Sequence, residues 1–178
     1  MTIRTVRLPS ETVDALHSLK NVPLSAIATD SIHVYEGQPH FGASEIGFRN
    51  DRKRSLLTFK TRWETIDHED IHLFVPVQES DSDIPRRIDG KGFSVGPCSW
   101  VNLSAPSQIE GIEVAELEIC DPDLVWDWGI VLHLKSGQKV SFATEYSAII
   151  GEIEIRLSGG LRAPEYGGCA LRLRTLFN

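Results

Sequence analysis

His68, Glu69 and His72 spell H-E-x-x-H, the pattern with which helical zinc peptidases hold their metal. On a helix the two imidazoles stand one turn apart and reach a single ion, and the glutamate between them serves as general base. On a strand, residues four apart share a face but are separated by about 13 Å, too far for one metal. The local period favours the strand, because Ile71, Leu73 and Val75 alternate with His72 and Phe74, and Pro76 ends the segment. No downstream helix offers a third ligand. We therefore read residues 68–72 as an exposed turn and strand and expect no cofactor. A zinc-dependent hydrolase using His68, Glu69 and His72 stands as the alternative, and it requires a helix at 66–74.

Other chemistry is spelled less directly. Ser94-Val95-Gly96-Pro97-Cys98 lacks the flanking glycine of a nucleophile elbow. Gly159-Gly160 and Gly167-Gly168 do not lead from a strand into a helix, so a phosphate cradle is unsupported. Glu116 with Glu118, or Asp121 with Asp123, could bind calcium or exchange protons, but no glycine-spaced ligand loop accompanies them.

The acidic residues nevertheless cluster. From residue 110 to 134 the chain carries Glu110, Glu113, Glu116, Glu118, Asp121, Asp123 and Asp127 and no lysine or arginine. Basic residues gather elsewhere, at Arg49, Arg52, Lys53, Arg54, Lys60 and Arg62, and again at Arg156, Arg162, Arg172 and Arg174. Either the two signs pair within the fold, or an acidic face is left for a basic partner. Trp126-Asp127-Trp128 lies inside the acidic run. On a strand the two indoles share one face and the aspartate takes the other. If the indoles are core, they serve packing. If they are exposed, Trp126 and Trp128 ringed by Glu116, Glu118, Asp121, Asp123 and Asp127 would form an anchor for a protein partner.

The chain of 178 residues is long enough to bury its own core, and we read residues 1–178 as one domain. A net charge of −7 argues against nucleic-acid binding, since phosphate contacts need a basic face. No stretch approaches the about 18 apolar residues of a membrane helix, and no leader pattern opens the chain, so no membrane partner is expected and a cytoplasmic location is. Cys98, Cys120 and Cys169 are odd in number and widely spaced, which suggests reduced thiols.

Most of the chain has a period of two. Ile3 to Leu8 marks a short opening strand, after which Ser10 is placed to cap a helix with Val13, Leu16 and Leu19 on one face. Strands are expected at 31–36, 45–49 and 55–61, the last two joined as a hairpin. Residues 78–92 read as a loop with potential functional contacts. Ile112 and Val114 occupy one parity, Leu117 and Ile119 the other, so a bulge is expected near Ala115 and Glu116. Residues 125–144 form two strands closed by a Ser136-Gly137 turn, and alternating strands follow at EIEIRL and CALRLRTLF. The fold class is α+β, mainly antiparallel sheet, arranged as a sandwich or strongly bent sheet with a short N-terminal helix.

LTFKTRWETI at 57–66 aligns with VSFATEYSAI at 140–149, setting Phe59 against Phe142, Thr61 against Thr144 and Trp63 against Tyr146. The shared order of elements suggests an internal duplication with units at about 45–77 and 125–158. The stretch GIVLHLKSGQKVSFATEYSAIIGEIEIRL, about one sixth of the chain, is similar to the strand runs of small acidic bacterial immunity proteins, which neutralise the toxins of contact-dependent or secreted competition systems. That resemblance implies a cytoplasmic inhibitor that engages a basic partner through acidic and aromatic residues. A structural, self-associating β domain is the remaining reading.

Overall fold

The computed structural model describes residues 3–30, 32–34, 41–50, 55–66, 69–78, 81, 99–119, 123–144, 152–164 and 169–177. Its strands are β1 (Arg4–Val6), β2 (Pro23–Thr29), β3 (His33–Val34), β4 (Phe41–Ala43), β5 (Glu45–Arg49), β6 (Ser55–Ile66) and β7 (Glu69–Pro76). They continue as β8 (Ser99–Ile119), β9 (Leu124–Leu134), β10 (Lys139–Thr144), β11 (Ile153–Arg156) and β12 (Ala170–Phe177), with helix α1 at Ser10–Ser18. The sheet runs β3-β4-β11-β10-β9-β8-β2-β5-β6-β7, with β12 added beside β8 and β1 beside β9. Every pairing is antiparallel except β1 with β9. The fold is thus the β-rich α+β class expected.

Strand β8 is the corner. Its first half pairs with β2, and its second half pairs with β9 on one edge and β12 on the other. The ladder with β2 shifts register between Leu24 and Ala26, opposite residues 103–106, among which Pro106 has no N–H to donate. The resulting arms fold over one another. Phe48, Phe59 and Phe74 on one arm meet Phe142 of β10 with ring centroids 5.5, 6.4 and 5.1 Å away. Leu16 and Leu19 of the α1 region close the same cluster. A second cluster holds Ile71, Leu73, Leu117, Trp126, Trp128 and Val131.

The register of β8 against β9 shifts between Ala115 and Glu116, where β8 was expected to carry a bulge, but the insertion is in its partner. Ala115 opposes Gly129 and Glu116 opposes Asp127, so the extra residue is Trp128 on β9. The β9–β10 turn closes with Leu134 N–H donating to Gln138 O at 2.9 Å, and Gly137 has φ +84°, a conformation in which glycine carries no Cβ penalty.

Several boundaries differ from the sequence reading. Pro9, with φ −54° and ψ 147°, takes the cap position, its carbonyl accepting Val13 N–H at 3.1 Å, and Ser10 is already helical. Between 31 and 36 the described strand is β3, at His33–Val34 alone. Strands β2 and β4 and the first half of β8 were not expected. β2 is buried along both faces from Ala26 to Thr29, so it shows no alternation. The two stretches proposed as a duplication each form three successive antiparallel strands, β5-β6-β7 and β9-β10-β11. Tyr146, and all of residues 78–92 except Gln78 and Asp81, lie outside the described residues.

Candidate binding surface

Strands β8 and β9 set Glu116 and Asp127 directly opposite one another, an unfavourable apposition of like charges unless it is compensated. Two arginines compensate it. Arg174 of β12 donates through Nε to Glu116 Oε1 at 2.6 Å and through Nη2 to both oxygens of Asp127 at 3.0 and 2.9 Å. Arg7, just past β1, donates through Nη1 to Glu116 Oε1 and to Asp127 Oδ1, the latter at 3.0 Å. The backbone N–H of Leu8 donates to Asp127 Oδ2 at 2.8 Å. Burial by itself would raise the Glu116 carboxyl, but hydrogen bonds and charge from Arg174 and Arg7 outweigh it and hold the group below its ordinary range. Desolvation likewise works against Arg7, and its bonds to Asp127 and Glu116 prevail, raising it.

Two further carboxylates of the acidic run also have side-chain partners. Glu118 pairs with Arg172 at 2.7 Å and Glu113 with His133 at 2.6 Å. Asp123 is half-buried with φ 61°, and its backbone carbonyl accepts Arg4 N–H at 3.0 Å. Asp121 lies outside the described residues. Of the two outcomes open for the charge pattern, pairing within the fold holds for Glu116, Glu118 and Asp127, which face arginines.

The aromatic anchor proposed beside these carboxylates is corrected by their placement. Trp126 and Trp128 are each 2% exposed and Asp127 1%, so a partner cannot reach them in the folded chain. The physical reason is the position of β9, an inner strand laddered to β8, β10 and β1: both indoles lie in the second cluster, and Trp128 Nε1 donates to Thr144 O at 2.6 Å. Glu116 and Glu118 stay partly exposed, but their charges already face arginines.

The H-E-x-x-H segment is extended. Glu69–Pro76 is β7, laddered to β6 from Ile66↔Glu69 to Phe59↔Pro76, so the helix that a zinc peptidase requires is absent there. His72 is half-buried opposite Trp63, and His68 lies outside the described residues. Among the described residues no three His, Cys, Asp or Glu side chains group as metal ligands.

Trp63 belongs to none of these motifs. It is 63% exposed, the largest exposure of any big apolar side chain among the described residues. Along β6 the face that carries Phe59 into the core continues through Thr61 to Trp63 and Thr65. Along β7 the same face carries Phe74, then His72, then Asp70. The β6–β7 hairpin therefore turns one face, with Ile71 and Leu73, into the second cluster, while the other emerges into the open with Trp63 and His72 side by side. Thr65 Oγ1 donates to Asp70 Oδ1 at 3.0 Å and pins its outer end. The polar flanks of T-R-W-E-T were the sequence signal for this exposure.

Among the described residues no helix is long and apolar enough to cross a membrane. No protein family matches this chain, and neither a characterised protein nor a solved structure shows a significant likeness to it.

Proposed function

We propose that the chain is a non-catalytic, protein-binding molecule of the cytoplasm, of the immunity type that neutralises a cationic toxin. Its net charge of −7 favours a basic partner and speeds encounter with one. The observation that carries the reading is the exposed Trp63 on the laddered β6–β7 hairpin. Tryptophan is enriched where binding energy concentrates, and an exposed indole on a laddered strand loses little conformational freedom when it is covered. The face is mostly neutral, with Thr61, Thr65 and His72 beside the indole and Asp70 at its end. Contact there is thus apolar and hydrogen-bonded, while the acidic character of the whole chain supplies long-range attraction.

The test is affinity capture from the native source at low salt, with wild type and Trp63→Ala in parallel, a salt step for elution and mass spectrometry of what is released. The expected result is a basic protein that salt releases and that the W63A chain retains poorly. Equal capture by both chains, indifferent to salt, would contradict the reading.

A further inference from the structure

We propose that the N-terminal segment and the C-terminal strand form a single clasp on the central β8–β9 hairpin, and that they open together. Two contacts at the C-terminal end of β12, at Arg174 and Phe177, carry this inference. At one, Arg174 and Arg7 share the same two carboxylates, Glu116 and Asp127, so one charge centre anchors both ends of the described chain. At the other, Phe177 is stacked on His17 with ring centroids 5.3 Å apart, and Lys20 Nζ stands 5.0 Å from the ring centroid. That second contact depends on a register shift. Thr175 opposes Glu113 while Phe177 opposes Ile112, so Leu176 is the inserted residue and Phe177 is turned into the core beneath the end of α1.

Neither terminal strand is held by its ladder alone. β1 is three residues long and exposed on its first two, and β12 lies at a sheet edge with Arg172, Leu173 and Thr175 exposed. Val6 of β1 and Leu171 of β12 are half-buried on the cluster that contains Leu117 and Trp126. Opening the clasp therefore bares one apolar area from two sides, and frees the edge of β9 at 124–126 together with the outer edge of β8 at 112–118. Short strands sharing an anchor are candidates for one sub-global opening unit.

Native-state amide hydrogen exchange on the full chain, read segment by segment, tests this. Phe177→Ala touches no residue of β1, yet it is expected to speed exchange about tenfold at residues 4–8 as well as at 170–177. Glu116→Gln is expected to do the same to both segments, and neither variant should change the amides of the β9–β10 ladder at 129–133. Glu118→Gln, which among the described residues pairs with Arg172 of β12, should affect only β12. Faster exchange confined to 170–177 in F177A would overturn the clasp, as would a uniform rise over the whole chain in both F177A and E116Q.

Discussion

Asp127→Ala removes the acceptor of hydrogen bonds from Arg7 Nη1 at 3.0 Å, Leu8 N at 2.8 Å and Arg174 Nη2 at 3.0 and 2.9 Å. The costs are unequal. Leu8 is 7% exposed, so its amide loses a charged acceptor in a place water barely reaches, at about 1–3 kcal/mol. The arginine side chains are 48% and 38% exposed and regain hydration, so each lost pairing costs only about 0–1 kcal/mol. Relief of the like-charge apposition with Glu116 returns a few tenths. The net expectation is a loss of about 2–4 kcal/mol, which moves the urea midpoint by roughly 1–2 M at an m-value of about 2 kcal/mol/M. Tryptophan fluorescence is a suitable probe, because Trp126 and Trp128 go from enclosed to solvated on unfolding. Glu118→Gln is the control, since its pairing with the 70%-exposed Arg172 is worth about 0–0.5 kcal/mol. A D127A chain within about 0.5 kcal/mol of wild type, or an E118Q chain equally destabilised, would refute the assignment of Asp127 as the anchor.

Gly129→Ala places a Cβ 2.5 Å from Leu161 Cδ1 and 3.0 Å from both Ala143 Cβ and Phe142 O, so calorimetry should show a loss of about 1–3 kcal/mol. The pH dependence has a definite sign: the folded-state pKa of Glu116 lies below its unfolded value, so its contribution is fully present above that value, about 4.3, and is lost as pH falls through the folded one. Wild type should therefore lose stability more steeply below about pH 4.3 than E116Q does, and parallel curves would contradict this. Because β7 is extended through His72, zinc titration calorimetry should show no stoichiometric site that His72→Ala abolishes.

Much of the architecture was legible where one face of a strand is wet and the other dry. Ile71, Leu73 and Val75 gave β7, the Ser136-Gly137 turn gave the β9–β10 hairpin, and the change of parity from Val114 to Leu117 gave the bulge. That the extra residue sits on β9 was not legible, because the parity of β8 does not say which of the two strands carries it. β2 escaped for the opposite reason: it is buried on both sides, and small residues such as Ala26 and Ala28 leave no period. The acidic run was visible as composition, but its neutralisation depends on Arg7 and Arg174, residues 109 and 58 positions from Glu116 that only the sheet order brings close. Trp63 was hidden by the repeat itself, since its parity matches that of Phe59, whereas at that end of the hairpin it is the opposite face, with Ile71 and Leu73, that is buried.

The most direct test of the proposed function is amide hydrogen exchange on the chain with and without its captured basic partner. New protection at residues 61–65 and 70–72, with 116–118 and 124–127 unchanged, is the predicted result. Protection centred on 116–127 instead, or none at the β6–β7 hairpin, would contradict the account and return the binding site to the acidic run.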